Sequence, residues 1–430
     1  MAKWLLKVVQ VLQKGKISIN LARLKADIEE LGQFGKNAKG GLDRTTFTSS
    51  ELAARKWLKS RLDQLDLVVR VDEAANIWGK RTGSRDLPSI VFGSHIDTVP
   101  NGGKYDGALG VLMAIEVLRI LADNGVVTRH PLEFVSFSAE EPNPFGLSTF
   151  GSRAVSGKLT RANIIDVADA AGTKLTDALR SAGGNPEQFA NCKRQPKELS
   201  AYLEVHIEQG KRLVNHAIPI GIVTAITGIY REQITVIGEA NHAGTTLMED
   251  RRDALTAASE LVLALEAACL RHPSNEAVGT IGKLIVSPNA PNIIPDKVIM
   301  SLEIRGKTSL EIKEVLTAFT RECLACKEKR AVQIERKMVL EQAPAEMDEV
   351  VMEAIKTSAE LLHFPYLVLG SMAGHDAAHM AAITRSGMIF VPSVGGKSHC
   401  PEEESRLKDI EKAANVLLHS ILLLDEKLDV

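Results

Sequence analysis

Leu87–His95 (LPSIVFGSH), Tyr105–Gly125 (YDGALGVLMAIEVLRILADNG) and His130–Glu141 (HPLEFVSFSAEE) decide the fold. The first and third are short apolar runs suited to buried strands. The second repeats its apolar residues at a helical 3.6-residue period and is stopped by Gly125. Strand, helix, strand is the repeating unit of an α/β sheet. The same alternation runs from Ile19 to about Ala225 and takes in Tyr202–His216 (YLEVHIEQGKRLVNH) and the strand-like Pro219–Gly228 (PIGIVTAITG). Between about Ile226 and Leu340 the texture changes to strand, long helix, two strands, helix and strand, a β-α-β-β-α-β unit of the kind that folds as an insertion. After Ala343 the first texture returns. The expected fold class is therefore α/β, a discontinuous catalytic domain with a central mixed sheet flanked by helices, interrupted by an inserted α+β domain. The predicted boundaries are 1–225, 226–340 and 341–430.

A chain of 430 residues exceeds what one core usually organises, in keeping with two domains. A net charge of -2, with 25% charged residues, gives no basic footprint for nucleic acid and points to small-molecule partners. Five cysteines, odd in number and mostly far apart, argue against a disulfide framework and for the cytoplasm. Cys323 and Cys326 form a lone C-x-x-C inside a helical pattern and read as helix positions, because a closed zinc site needs four ligands. The N-terminal MAKWLLKVVQVLQKGK is too short for a membrane span and reads as a surface or packing helix.

In open α/β sheets, sites gather at the carboxyl ends of strands. His95 and Asp97 leave such an end, and Asp97 is spaced to accept the second ring N–H of His95 as metal-ligating histidines require. Asp106 sits in the loop NGGKYDGALG, which lacks both G-K-[ST] and G-x-G-x-x-G and so is no phosphate cradle. On its own it reads first as a turn or N-cap aspartate. Glu140 and Glu141 are presented together where an apolar strand stops; two adjacent carboxylates need a cation or a shared proton. A metal resolves the conflict if one carboxylate binds it and its neighbour acts as general base. His206 and His399 also fall at strand ends or on loops. Three His, one Asp and one Glu form a nitrogen and oxygen donor set that zinc, manganese, nickel or cobalt accepts. His375 and His379 imitate the H-E-x-x-H spacing with Asp376 in place of Glu, on a loop entering a helix, a poor match to a single-zinc protease site.

Taken in order, GSHIDTVP, YDGALG, SAEE, YLEVHIEQG, NHAGTT, PNIIP, LEIRG, AGHDAAHMA and GGKSHCPEE resemble the peptidase M20-type amidohydrolases. The branch they resemble most contains N-carbamoyl-L-amino acid hydrolases, allantoate amidohydrolases and β-ureidopropionases. That resemblance implies two divalent ions per subunit, one held by His95, Asp106 and His206 and the other by Asp106, Glu141 and His399, with Glu140 as general base. It implies that the inserted domain is a lid and homodimer interface. On it, His242 would polarise the scissile carbonyl, and Asn292 and Arg305 would grip a substrate carboxylate. Gln209 would touch substrate from the catalytic domain. The implied reaction is hydrolysis of the ureido amide of an N-carbamoyl-L-amino acid to L-amino acid, carbon dioxide and ammonia. Allantoate amidohydrolysis is the nearest alternative, and an aminoacylase or dipeptidase a more distant one. From another class, a non-catalytic binding protein on a retired enzyme fold has no reason to keep the complete ligand set. The sequence departs from the branch at EEPNPFG, at Leu247 of HAGTTLM and at Met372 of SMAGHDA, which bears on substrate choice rather than on metal binding.

Overall fold

A computed structural model describes residues 17–274 and 276–428 of the chain. The segment for which the sequence predicts an N-terminal helix lies outside them. Two compact units emerge, one comprising Met1–Thr224, Glu346–Leu369 and Ala373–Val430, the other Ala225–Ala345 with Gly370–Met372.

The strands, in chain order, are β1 (Val68–Val71), β2 (Ile77–Arg81), β3 (Ser89–His95), β4 (Leu132–Phe137), β5 (Leu199–Ile207), β6 (Ile220–Ile226), β7 (Gly228–Ile237), β8 (Val278–Ser287), β9 (Lys297–Gly306), β10 (Gln333–Gln342), β11 (Ala345–Glu346), β12 (Tyr366–Ser371) and β13 (Arg385–Val391). The central sheet runs β1-β2-β4-β3-β5-β13-β6-β11, with β12 paired to β6. Strands β4, β3, β5 and β13 are mutually parallel, whereas β2 and β6 join antiparallel on either side, so the sheet is mixed. β3 and β4 are buried at every position and β13 at all but Arg385, as strands covered on both faces must be.

Helix Ala108–Asp123 explains the apolar run that identified it. Every residue from Ala108 to Leu121 is buried, because the helix lies in the core rather than on a half-wet surface. Its two buried charges are paired: Glu116 with Arg23 at 2.7 Å, and Arg119 with Asp27. Helices Glu349–Leu361 and Leu407–Lys427 pack on one another and on β13. No helix among the described residues is long and apolar enough to cross a membrane.

The second unit has a four-stranded antiparallel sheet, β10-β7-β9-β8, with helices Ala254–Leu270 and Ser309–Arg330 on one face. Alternate residues of β9, among them Val298, Met300, Leu302 and Ile304, point into that core and meet Leu261, Val315 and Phe319. Thr308 and Glu311 close a capping box at the start of the second helix, and Asp253 caps the first. Cys323 and Cys326 are buried on the core face of their helix and serve as small apolar residues. All five cysteines are free.

Candidate metal centre

The parallel ladder brings distant parts of the chain to one edge. His95, the last residue of β3, stands opposite Phe137, the last of β4, so Glu140 and Glu141 follow within one turn of chain. His206 on β5 stands opposite Phe390 on β13, and His399 follows that strand's end. The loop between β3 and the core helix returns Asp106 to the same edge. Asp106 is not the N-cap; that position is Gly107, with φ 61° and ψ -51°. A Cβ at residue 107 would lie 2.2 Å from Nε2 of His95, so only glycine lets the helix start this close to the imidazole. Gly107→Ala is expected to destabilise the fold by roughly 1–3 kcal/mol and to weaken metal binding by displacing His95. Thermal unfolding and metal titration check this, and a stable variant with full metal affinity would contradict it.

Two groups of ligand atoms result. His95, Asp106 and His206 form one, and Asp106, Glu141 and His399 the other; within each, the atoms lie within 4.8 Å of one another. Asp106 is common to both. Its Oδ1 is 3.0 Å from Nε2 of His206 and 3.9 Å from Nε2 of His95, while its Oδ2 is 3.2 Å from Nε2 of His399. Glu141 Oε1 is 3.5 Å from Nε2 of His399. Glu140 belongs to neither group, but its carboxylate reaches within 3.6 Å of His95 Nε2. All of these except His399 are buried.

The support around them is equally specific. His95 turns Nδ1 toward Asp97, 3.1 Å from its carbonyl and 3.4 Å from its carboxylate. His206 turns Nδ1 to the carbonyl of Ile207 at 2.9 Å. Both rings thus present Nε2 to the centre. Asp97 also accepts the amide N–H groups of Glu140 and Glu141, at 3.2 and 3.1 Å, and the hydroxyl of Thr46 at 2.9 Å, so it ties the glutamate pair to the end of β3. Ala139, just before the pair, has φ 51° and Gln209 φ 57°, left-handed conformations that non-glycine residues rarely adopt. The Gln209 amide donates to Oδ2 of Asp106 at 2.8 Å and lies 3.3 Å from both Ser398 Oγ and His399 Nε2.

Electrostatics agree with a cation site. Burial, reinforced by Asp106, pushes the Glu141 carboxyl up to about 8, and burial with Glu141 and Asp376 nearby holds Glu140 well above its ordinary range. Burial would also raise Asp106, but His206, His399 and His95 overcome it and hold it well below. The hydrogen bond to Asp106, against opposing burial, raises His399 to about 9. These carboxylates ionise together only with compensating positive charge between them. Nε2 of His95 and Oε1 of Glu141 are buried with no hydrogen-bond partner, and both belong to residues of the two groups. Orphaned buried polar atoms are costly, and a divalent ion satisfies both, so the donor set fits the metal.

His375 and His379 part company. His375 stacks edge-on against His206, ring centroids 4.4 Å apart. His379 points to Lys158 Nζ at 3.1 Å and Thr149 Oγ1 at 2.8 Å. Neither joins a ligand group among the described residues. Sequence reasoning missed Thr46, Ser398 and Glu403. The last lies in the run PEEE, whose charge pattern reads as solvated surface, although Glu403 is buried against the Asp106 loop.

In the second unit, the loops carrying His242 and Asn292 pair through a bridge between His242 and Ile293 and a bond from Ala243 N–H to Asn292 O at 3.0 Å. Nδ1 of His242 accepts the Gly244 N–H at 3.0 Å, so a neutral ring carries its proton on Nε2 and can donate outward. These loops lie before β9, whereas Arg305 stands near its far end. The eight residue steps from Lys297 to Arg305 span about 27 Å at roughly 3.4 Å each. Arg305 donates to Glu303 at 2.7 Å and to the carbonyl of Met372 at 2.9 Å.

Comparison with known proteins finds similarity along nearly the whole chain. Residues 91–423 match the family described as Peptidase family M20/M25/M40. An N-carbamoyl-L-amino acid amidohydrolase of Geobacillus stearothermophilus is 37% identical, over 93% of this chain and 97% of its own. An allantoate amidohydrolase of Bacillus subtilis is 35% identical, over 94% of this chain and 98% of its own. The crystal structure of a hydantoinase/carbamoylase family amidase from Burkholderia multivorans superposes with a TM-score of 0.90 at 31% identity, covering 96% of this chain and 100% of that one. A mixed sheet whose parallel strands deliver His, Asp and Glu to one edge, and sequence identity sustained along nearly the whole chain, together establish that the protein belongs to peptidase family M20/M25/M40, a family of metal-dependent hydrolases.

Proposed function

We propose that the chain is a dinuclear amidohydrolase that cuts the ureido amide of N-carbamoyl-L-amino acids, releasing L-amino acid, carbon dioxide and ammonia. The observation that carries this reading is a carboxylate, Glu140, left outside two ligand groups that share Asp106. Two divalent ions, of zinc, manganese, cobalt or nickel, would lower the pKa of a water and polarise the scissile carbonyl. Glu140 takes the proton of the attacking water and delivers it to the departing amino nitrogen. His242 donates from Nε2 to the developing oxyanion, and Asn292 and Arg305 bind the substrate carboxylate. Gln209, hydrogen-bonded to Asp106, contacts substrate beside the ions. Because about 27 Å of strand separates Arg305 from the loops of His242 and Asn292, we assign the two sets to different copies of the chain in a homodimer. Five free thiols suit a reducing compartment, and we place the protein in the cytoplasm.

Allantoate is the second candidate substrate. It also carries a ureido group beside a carboxylate, and the similarity to the Bacillus subtilis enzyme spans nearly the same length as that to the carbamoylase. Chelator-stripped protein reloaded separately with manganese, zinc, cobalt or nickel, and assayed for ammonia from N-carbamoyl-L-amino acids, allantoate, ureidoglycolate and β-ureidopropionate, decides between them. Silence on every substrate with every metal overturns the assignment. Arg305→Gln is expected to raise KM for carboxylate-bearing substrates by roughly 10- to 100-fold, the worth of a charge-assisted bond of about 1.5–3 kcal/mol, with kcat much less affected. An unchanged KM would remove Arg305 from the binding site.

A further inference from the structure

We propose that Glu403 is the positioning residue that fixes Asp106 in its shared orientation, by clamping the Asp106 loop to the His399 loop. This inference rests on the dinuclear reading above. One oxygen of the buried Glu403 carboxylate accepts the backbone N–H groups of Tyr105 and Asp106, at 2.9 and 3.0 Å. Its other oxygen is 3.0 Å from the hydroxyl of Ser398, which is 2.7 Å from Oδ2 of Asp106. Ser398 directly precedes His399. A single carboxylate therefore grips the main chain of one ligand loop and the residue beside the ligand of the other.

Besides Glu403, the loop is tied at Gly102, whose N–H and carbonyl both pair with Leu42 at 2.9 Å, and Oδ2 of Asp106 accepts the Gln209 amide at 2.8 Å. Beyond that tie, Gly103 and Gly107 flank the Tyr105–Asp106 segment, residues that leave a backbone free to move unless something fixes it. Gly103 also makes the clamp possible, since a Cβ there would come within 2.1 Å of the Glu403 carboxylate. Of the ligands sharing Asp106, His95 and His206 are held by β3 and β5 and by their own Nδ1 contacts. His399 is on a loop, with φ 57°, and depends on its surroundings. Loss of the clamp accordingly falls hardest on the group of Asp106, Glu141 and His399.

The test is titration of metal-free protein with cobalt(II), followed by its visible absorption and by competition with a chelator. Wild-type protein takes up two ions. Glu403→Ala is expected to bind the second ion about 10- to 100-fold more weakly, the usual cost of losing a residue that orients a ligand, and to alter its absorption band. Glu403→Gln should restore wild-type binding, because an amide oxygen still accepts the two N–H groups and its NH2 meets the Ser398 hydroxyl. If Glu403→Ala does not fold, Ser398→Ala cuts the same link from its other end, with the same expected weakening. Second-ion affinity unchanged in the alanine variant, or Glu403→Gln as weak as Glu403→Ala, overturns the clamp. A wild-type protein that takes up fewer than two ions overturns the dinuclear reading, and the clamp with it.

Discussion

Glu140→Gln is expected to lower kcat by roughly 10²- to 10⁴-fold, the usual contribution of a positioned general acid and base, while metal content and KM stay close to wild type. The substitution changes little else. Glutamine has the size of glutamate, and the main-chain bonds that place residue 140 remain: its N–H to Asp97, and the Thr149 N–H to its carbonyl at 2.7 Å. The side chain lies in neither candidate ligand group, so the donors proposed for the ions are untouched. What disappears is a basic oxygen able to accept a proton and return it. The neutral amide is also easier to bury beside Glu141 than a second carboxylate, so the metal-free variant should unfold at no lower temperature than the metal-free wild type. Steady-state kinetics alongside elemental analysis decide the point. Turnover near the wild-type rate would assign the base to another group, and loss of metal would make Glu140 a ligand instead.

The legibility of this centre in the sequence has a physical basis. Strands buried on both faces must be apolar throughout, so SIVF, LEFVSF and MIFV stand out, and polar residues directly after them are conspicuous. His95, Glu140 and Glu141 stand out in that way, and His399 less directly, eight residues beyond Val391. Glu403 was hidden because its value depends on a contact between positions 297 residues apart, which no local pattern encodes. The helical spacing of His375 and His379 misleads for a related reason. The helix there is a single turn, Ala377–Met380, which holds His379 but begins after His375, so the two do not share a helix face. The C-x-x-C at Cys323 and Cys326 does sit on one helix face, but that face is the core of the second unit. Strand order placed His242 and Asn292 before β9 and Arg305 near its end, and their separation follows from strand length alone.

Asp106→Asn is expected to cost both ions, where His399→Ala costs mainly one. Asp106 alone belongs to both ligand groups, and each of its oxygens faces a different histidine, Oδ1 toward His206 and Oδ2 toward His399. Asparagine keeps one oxygen and replaces the other with an NH2 group that cannot donate a lone pair, and it removes the negative charge. Breaking one member of a buried charge pair costs about 3–5 kcal/mol, which at about 1.4 kcal/mol per decade amounts to roughly 10²-fold or more in affinity at each position. His399 is the most exposed of the five candidate ligands and contributes only to the second group, so its removal leaves His95, Asp106 and His206 in place. Equilibrium dialysis with elemental analysis distinguishes the two variants. If Asp106→Asn retains either ion at wild-type affinity, the shared carboxylate is not the link between the two groups, and the centre must be built from two independent sites.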